Sequence, residues 1–169
     1  MKKPYAMKTL ALVGVAALGA AAPALFAAER VADRMQIVSE GDRDMNAAIA
    51  EARRTLDDFL ALARKPPAGA SGFKLKVMLS DAHGVEHFWF TPFKETRDGF
   101  AGVLANTPEM VKSYTEGKVY AFKRDQISDW GYELNGKQVG SYTVCVLFKS
   151  MPKDDVARFK RDYGFVCQN

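Results

Sequence analysis

The spacing of apolar residues changes once along this chain, and that change constrains the fold more than any other feature. Between Met45 and Ala63, apolar residues recur three, four and seven positions apart, which predicts one face of an amphipathic helix. From Phe73 to Leu79 they alternate with mostly polar residues, which predicts a half-buried strand. One helix followed by a run of strands is typical of an α+β protein.

The ends of the helix and the later strands follow from local signals. Asp44 is the predicted N-cap, and Pro66 and Pro67 end the helix. Candidate strands cover residues 73–79, 85–90, 99–104, 118–123, 132–134, 137–139 and 142–148. The last of these is apolar on both faces, so it is predicted to be a central strand. A short C-terminal helix is predicted after Pro152.

The connections between these strands are short, which favours antiparallel pairing because parallel pairing needs long crossovers. The segment 81–84 and the pair Asn135-Gly136 are turn signals between neighbouring strands. We therefore expect a curved antiparallel sheet of five to seven strands. One long N-terminal helix packs on a face of it, and a short helix closes the chain.

The N-terminus has the pattern of a secretory signal peptide. Three lysines precede an apolar run from Leu10 to Ala22, and small residues before Glu29 offer cleavage positions. The run is shorter than the about 20 residues that a stable membrane anchor needs. We expect a cleaved Sec-type signal over residues 1–28, a linker or loosely docked arm over 29–43, and a single domain over 44–169. The expected location is the periplasm or the outside of the cell.

The charge balance argues against a nucleic-acid partner. The whole chain has 24 basic and 20 acidic residues, a net charge of +4. Three of the lysines lie in the predicted signal, so 21 basic residues stand against 20 acidic ones afterwards, a net charge of +1. Domains that bind nucleic acid cluster Lys and Arg on one surface, and this sequence has no such cluster.

Two cysteines, Cys145 and Cys167, are present, and an oxidising compartment permits a disulfide between them. Their pairing would close a loop of roughly 20 residues. The alternative is two separate thiols, one buried and one exposed. We expect the disulfide.

The segment from Glu86 to Trp89 is the first candidate site. Adjacent strand residues point to opposite sides of a sheet, so Glu86 and His87 are not expected to act as a coupled acid and base. A structural or ligand-facing His87 beside Trp89 is favoured. His83, His87 and Asp81 could be imagined as metal ligands, but zinc needs three or four ligands with a second shell, and the chain has no further histidine. No metal or cofactor is expected.

Two further candidates carry alternatives that the sequence leaves open. An exposed Asp129 beside Trp130 would suit a partner-binding hot spot. Alternatively, Asp129 caps a turn while Trp130 packs on the sheet. Asn106 is a candidate binding residue or the start of an Asx-turn before Pro108.

Signatures of hydrolases are absent from the sequence. It contains no Gly-x-Ser-x-Gly, no Ser-x-x-Lys followed by Lys-Thr-Gly, no His-Glu-x-x-His and no Gly-rich phosphate loop. We assign no catalytic residue.

Four short motifs together resemble the YegJ-like family of bacterial proteins, a domain of unknown function. They are Glu86-His87-x-Trp89, Gly102-x-Leu104-x-Asn106-x-Pro108, Ile127-x-Asp129-Trp130 and Gly140-x-Tyr142-Thr143. The resemblance spans about residues 44–149 and implies a small, often exported bacterial domain without an assigned reaction. The chain is also broadly similar to small immunity proteins of bacterial toxin systems.

The sequence therefore predicts an exported, non-catalytic periplasmic binding domain. Its expected partner is a protein of the envelope or an incoming toxin that it neutralises. A binder of a small molecule or glycan is the alternative, and an enzyme is the less favoured one. The residues expected to bind are Glu86, His87, Trp89, Asn106, Asp129 and Trp130.

Overall fold

The computed structural model describes residues 42–167. The predicted signal peptide and nearly all of the predicted arm lie outside the described residues. The helices and strands, in chain order, are α1 (Arg43–Arg54), α2 (Leu56–Arg64), β1 (Ala70–Asp81), β2 (Gly84–Thr96), β3 (Gly99–Leu104), β4 (Val119–Phe122), β5 (Ile127–Leu134), β6 (Lys137–Gly140), α3 (Tyr142–Leu147) and α4 (Lys153–Tyr163). Among these residues, no helix is long and apolar enough to cross a membrane.

The strands form one antiparallel sheet in the order β4-β3-β2-β1-β5-β6. The α+β class is confirmed, and six strands lie within the expected range. Both predicted hairpins are present, since Asp81 pairs with Gly84 and Leu134 pairs with Lys137. At the second turn Asn135 and Gly136 have φ angles of 50° and 76°, the left-handed conformation that two-residue hairpin turns require.

The N-cap of the first helix lies two residues before the predicted one. Asp42 is the N-cap, and its carboxylate accepts a hydrogen bond from the Met45 N–H at 2.9 Å. The predicted cap, Asp44, lies inside the first turn, where its carboxylate is 2.7 Å from the Lys149 ammonium. The prediction of Asp44 as cap is wrong because two aspartates compete at this position and the earlier one has the capping geometry.

The single long N-terminal helix is not confirmed, because Thr55 separates α1 from α2. The Thr55 hydroxyl donates to the backbone carbonyl of Glu51 at 2.8 Å, a bond that often bends helices. Both helices still bury one apolar face against the sheet. The core between them and the sheet contains Ala52, Leu56, Phe59, Leu60, Leu75, Val77, Leu79, Phe88, Phe90, Phe100, Leu104, Val111, Phe122, Ile127, Trp130 and Tyr132.

The predicted strand over residues 142–148 is wrong, because this segment forms helix α3. Its buried residues, Thr143, Val144 and Leu147, fit the three- and four-residue spacing of a helix face. Gly140 opens the turn into the helix with a φ of 77°, and a Cβ there would lie 2.4 Å from the Trp130 carbonyl oxygen. A run of apolar residues does not separate a buried strand from a buried helix.

The predicted C-terminal helix is confirmed as α4, with Pro152 as its N-cap. Together with α3 it encloses a second apolar cluster, which packs around Trp89 of β2. That cluster contains Trp89, Val144, Phe148, Met151 and Phe159. The sheet therefore lies between α1 and α2 on one face and this smaller cluster on the other.

The predicted disulfide is confirmed. Cys145 in α3 is bonded to Cys167, 22 residues further along the chain. The bond joins the end of the described chain to the helix that borders the second cluster.

We expect that removing this bond destabilises the protein. Replacing both Cys145 and Cys167 with alanine should lower the free energy of unfolding by about 3 kcal/mol, because the unfolded chain regains the entropy of the closed loop. Urea unfolding of both proteins measures the difference. Dithiothreitol should destabilise the native protein and leave the double variant unchanged. Equal stability of the oxidised native protein and the double variant would contradict this expectation.

Candidate functional site

The face of the sheet opposite α1 and α2 carries a group of polar residues around Lys76. The strand register pairs Lys76 with Trp89 on β2 and with Asp129 on β5. Lys76 is 1% exposed and Asp129 is 0% exposed. The Lys76 ammonium lies 5.4 Å from the centroid of the Trp89 ring, within cation–π range. We refer to Lys76, Trp89, Asp129, His87 and Ser128 as the Lys76 cluster.

Asp129 holds the start of α3. Its carboxylate accepts hydrogen bonds from the Thr143 hydroxyl at 2.6 Å and from the Thr143 N–H at 2.8 Å. The N–H groups of Trp130 and Tyr142 donate to it at 2.8 and 3.2 Å. Three of these four donors belong to Tyr142 and Thr143, so the carboxylate serves as the acceptor for the first turn of the helix. Asp129 caps rather than anchors a partner.

The electrostatics of Asp129 agree with this structural role. Burial raises the pKa of its carboxyl, while the hydrogen bonds from Thr143 and the charge of Lys76 act in the opposite direction. A buried carboxylate persists when such donors satisfy its oxygens. A ligand that bound to Asp129 would first have to displace the start of α3.

His87 lies at the edge of the cluster. Its Nδ1 is 2.8 Å from the Ser128 hydroxyl, which in turn donates to the Lys76 carbonyl at 3.3 Å. Burial, together with the charges of Lys76 and Arg53, lowers the pKa of His87 to about 4. A serine hydroxyl beside a neutral histidine is the pair of groups found in an activated serine nucleophile. Ser128 is only 1% exposed, however, so a substrate could not reach its hydroxyl.

Asn106 lies beside Trp89 of β2 and bonds to its backbone. The Asn106 side-chain oxygen accepts a hydrogen bond from the Trp89 N–H at 2.7 Å, and the Ala105 N–H donates to the Trp89 carbonyl at 2.9 Å. Both Asn106 and Trp89 are buried. The asparagine amide therefore replaces a strand partner where β3 has ended.

Trp130 belongs to the other face of the sheet. It stacks on Phe59 with ring centroids 4.8 Å apart, and its indole N–H donates to the Ala52 carbonyl at 2.9 Å. It is 5% exposed. Trp130 fixes α1 and α2 on the sheet and is not available to a partner.

Glu86 anchors the loop between β3 and β4. Its carboxylate accepts hydrogen bonds from the consecutive N–H groups of Glu109, Met110 and Val111, at 2.8 to 3.2 Å. Asp81 continues this pattern by accepting from the N–H groups of the next two residues. Burial opposes ionisation of Asp81, but the hydrogen bonds from backbone N–H groups outweigh it and lower its pKa. These carboxylates hold a loop in place.

The structure thus brings three of the six candidate residues, His87, Trp89 and Asp129, to one face. Asn106 supports Trp89 from the side, whereas Trp130 and Glu86 serve other parts of the fold. Lys76 was not among the predicted site residues, because the alternation of β1 placed it on the partly solvated side. The sequence carries no signal that separates this lysine from its exposed neighbours.

The described residues contain no group of three or more His, Cys, Asp or Glu side chains that could hold a metal ion. Asp81 was one of the residues considered as a metal ligand. Its carboxylate accepts a hydrogen bond from the His83 N–H at 2.7 Å. Its carboxylate therefore organises the turn between β1 and β2.

We expect Asp129→Asn to destabilise the protein by about 2 to 4 kcal/mol, because the amide would place donors against the donors of α3 and leave Lys76 without its counter-charge. Urea unfolding measures the change. The matched control is Asp125→Asn at an exposed carboxylate, which should alter stability by less than about 0.5 kcal/mol. Similar effects of the two substitutions would contradict the capping role.

We expect His87 to make the protein sensitive to acid. Because its pKa is lowered to about 4, the unfolded chain takes up a proton below about pH 6.5 while the folded chain does not. Stability should therefore fall by up to about 3 kcal/mol as the pH drops towards 4. Urea unfolding at several pH values tests this, with His87→Gln as the comparison. A variant that loses as much stability as the native protein over this range would refute the assignment.

Comparison with known proteins places the chain among bacterial proteins. Residues 42–166 match a family described as "Uncharacterized protein conserved in bacteria (DUF2314)". The chain is 33% identical over 111 residues to the Uncharacterized protein YegJ of Escherichia coli (strain K12), which covers 66% of this chain and 71% of that protein. No solved structure matches the chain. The protein therefore belongs to the DUF2314 family, and it is similar to YegJ.

Proposed function

We propose that this protein is an exported, non-catalytic domain that binds a partner protein in the periplasm. The proposal rests on one observation: the side chains best suited to catalysis have structural roles. Asp129 caps α3, Lys76 and Ser128 are buried, and Glu86 holds a loop. An enzyme needs titratable groups that converge in a cleft open to substrate, and these groups do not.

The disulfide supports the export part of the proposal. Disulfides persist in oxidising compartments such as the periplasm and are rare in the cytosol. The pairing of Cys145 with Cys167 therefore agrees with the signal-like N-terminal sequence.

A protein partner is favoured over a small ligand because Trp89, the aromatic residue that such a ligand would contact, is buried. A small-molecule site at the aromatic and histidine residues would be a pocket lined by His87 or Trp89. Clefts of about 400, 550 and 830 Å³ lie elsewhere on the described surface, and neither residue lines any of them. The partner would be a resident envelope protein or an incoming toxin.

Export is tested by fractionating a bacterial host that expresses the full chain. We expect the protein in the periplasmic fraction, shortened by the predicted signal and carrying an intact disulfide. Leu12→Arg, which puts a charge in the apolar run, should keep the protein in the cytoplasm at full length. The matched control, Leu12→Ile, should be exported. Cytoplasmic retention of the native chain would overturn this part of the proposal.

Binding is tested by affinity capture with the exported protein from envelope and secreted extracts of its own host. We expect one stoichiometric partner that persists at moderate salt. Its identity would distinguish an envelope protein from a toxin. Capture of no protein, together with a rise in melting temperature in a screen of small molecules and glycans, would support the alternative.

A further inference from the structure

The two edges of the sheet differ in how they are covered. At the β6 edge the Gln138 N–H donates to the Gly164 carbonyl at 3.0 Å, and Phe165 forms a bridge with Gln138. At the opposite edge β4 pairs with β3 alone, and no other element among residues 42–167 follows it in the sheet. An open edge presents backbone donors and acceptors to another chain.

The hydrogen-bond pattern shows which groups of β4 point outward. The Leu104 N–H donates to the Lys118 carbonyl at 2.9 Å, which sets the phase of the β3–β4 pairing. Tyr120 therefore exchanges hydrogen bonds with β3, while the N–H and C=O groups of Val119 and Ala121 point away from the sheet. Val119 is 65% exposed, and Ala121 is also exposed.

The side chains beside this edge form an apolar strip. Val119 pairs with Val103, and Ala121 pairs with Ala101, all on the face opposite the main core. A strand added at β4 would place its own alternate side chains next to this strip.

The charges around β4 favour an acidic partner segment. Exposed Lys118 precedes the strand, and Lys123 follows it. The ammonium of Lys123 donates to the Asp98 carbonyl, and the guanidinium of Arg53 donates to the carbonyls of Asp125 and Ile127. These hydrogen bonds go to neutral carbonyl groups and not to carboxylates.

Arg53 and Lys123 line the cleft of about 830 Å³ at the end of β4, together with Arg124. Carboxylates are present there too. Asp57 pairs with Arg124 at 2.8 Å, Asp98 lies 3.5 Å from Arg97, and Asp125 lines the cleft. A second copy of this chain is a poor occupant of the edge, because pairing β4 with itself would bring the same cations together twice.

We propose that the β4 edge docks an extended, acidic segment of the partner protein as a seventh strand. The backbone of that segment bonds to Val119 and Ala121, and its carboxylates lie near Lys118 and in the cleft beside Arg53 and Lys123. Strand addition of this kind takes affinity from main-chain hydrogen bonds and specificity from side chains. The inference rests on the proposed function, since it names the surface and the chemistry of the partner.

The probe is a synthetic peptide of alternating valine and threonine with glutamates at both ends, titrated to millimolar concentration into the isotope-labelled protein. We expect amide shifts confined to β4 and the cleft, and slower hydrogen exchange at the Val119 and Ala121 amides. The same peptide with lysines in place of the glutamates should bind at least about tenfold more weakly. Shifts elsewhere, equal binding of the two peptides, or no shift at all would overturn the proposal.

Four variants, two of them controls, separate docking from folding. Ala121→Pro removes an N–H that makes no bond within the sheet, so the fold should persist while peptide binding weakens at least about tenfold. Ala121→Thr keeps the N–H and should bind as the native protein does. Lys118→Glu should weaken binding about threefold to tenfold, whereas Lys137→Glu on the opposite edge should not change it. Native-like binding by Ala121→Pro would overturn the proposal.

The captured partner distinguishes failure of this inference from failure of the proposed function. If the native protein and Ala121→Pro capture the same partner equally well, docking at β4 is wrong and the binding function stands. If the acidic peptide binds β4 but no partner is captured, the edge is a strand-binding surface and the proposed function fails.

Discussion

The contact between the Asp129 carboxylate and the first turn of α3 is the interaction on which the second face of the sheet depends. It places a charge from the middle of β5 under the N–H groups of Tyr142 and Thr143, where the helix dipole favours an anion. Because α3 is short, little within the helix would hold it in this position. The capped helix then places Val144 in the cluster that contains Trp89, and it places Cys145 where it bonds to Cys167.

The buried Lys76 restricts how the strands can pair. It faces Asp129 and Trp89 from one side of β1, while Leu75 and Val77 face the main core from the other. A slip by one residue would turn an ammonium into the apolar core. Replacement by an apolar side chain could match the stability of such a buried pair, so we attribute to Lys76 a role in fixing the register.

The predictable parts of the fold were those governed by periodicity and turn chemistry. Strands β1 to β4 and β6 lie where alternation and turns such as Asn135-Gly136 predict them, whereas only residues 132–134 of β5 were predicted as a strand. Helix α3 was not predictable, because its start depends on Asp129, which precedes Tyr142 by 13 residues. The same holds for the candidate site. Burial of Lys76 and Asn106 arises from contacts between strands and loops that local patterns do not specify.

The disulfide and the second cluster have a consequence for biosynthesis. Among the described residues, every strand ends by Gly140, whereas α3, α4 and Cys167 come after it. A chain that emerges N-terminus first can therefore assemble its sheet before the residues that cover Trp89 and donate to Asp129 are present. Until these residues are present, one face of that sheet is an incomplete surface with a lysine and a tryptophan open to water, a form suited to transient capture by a chaperone.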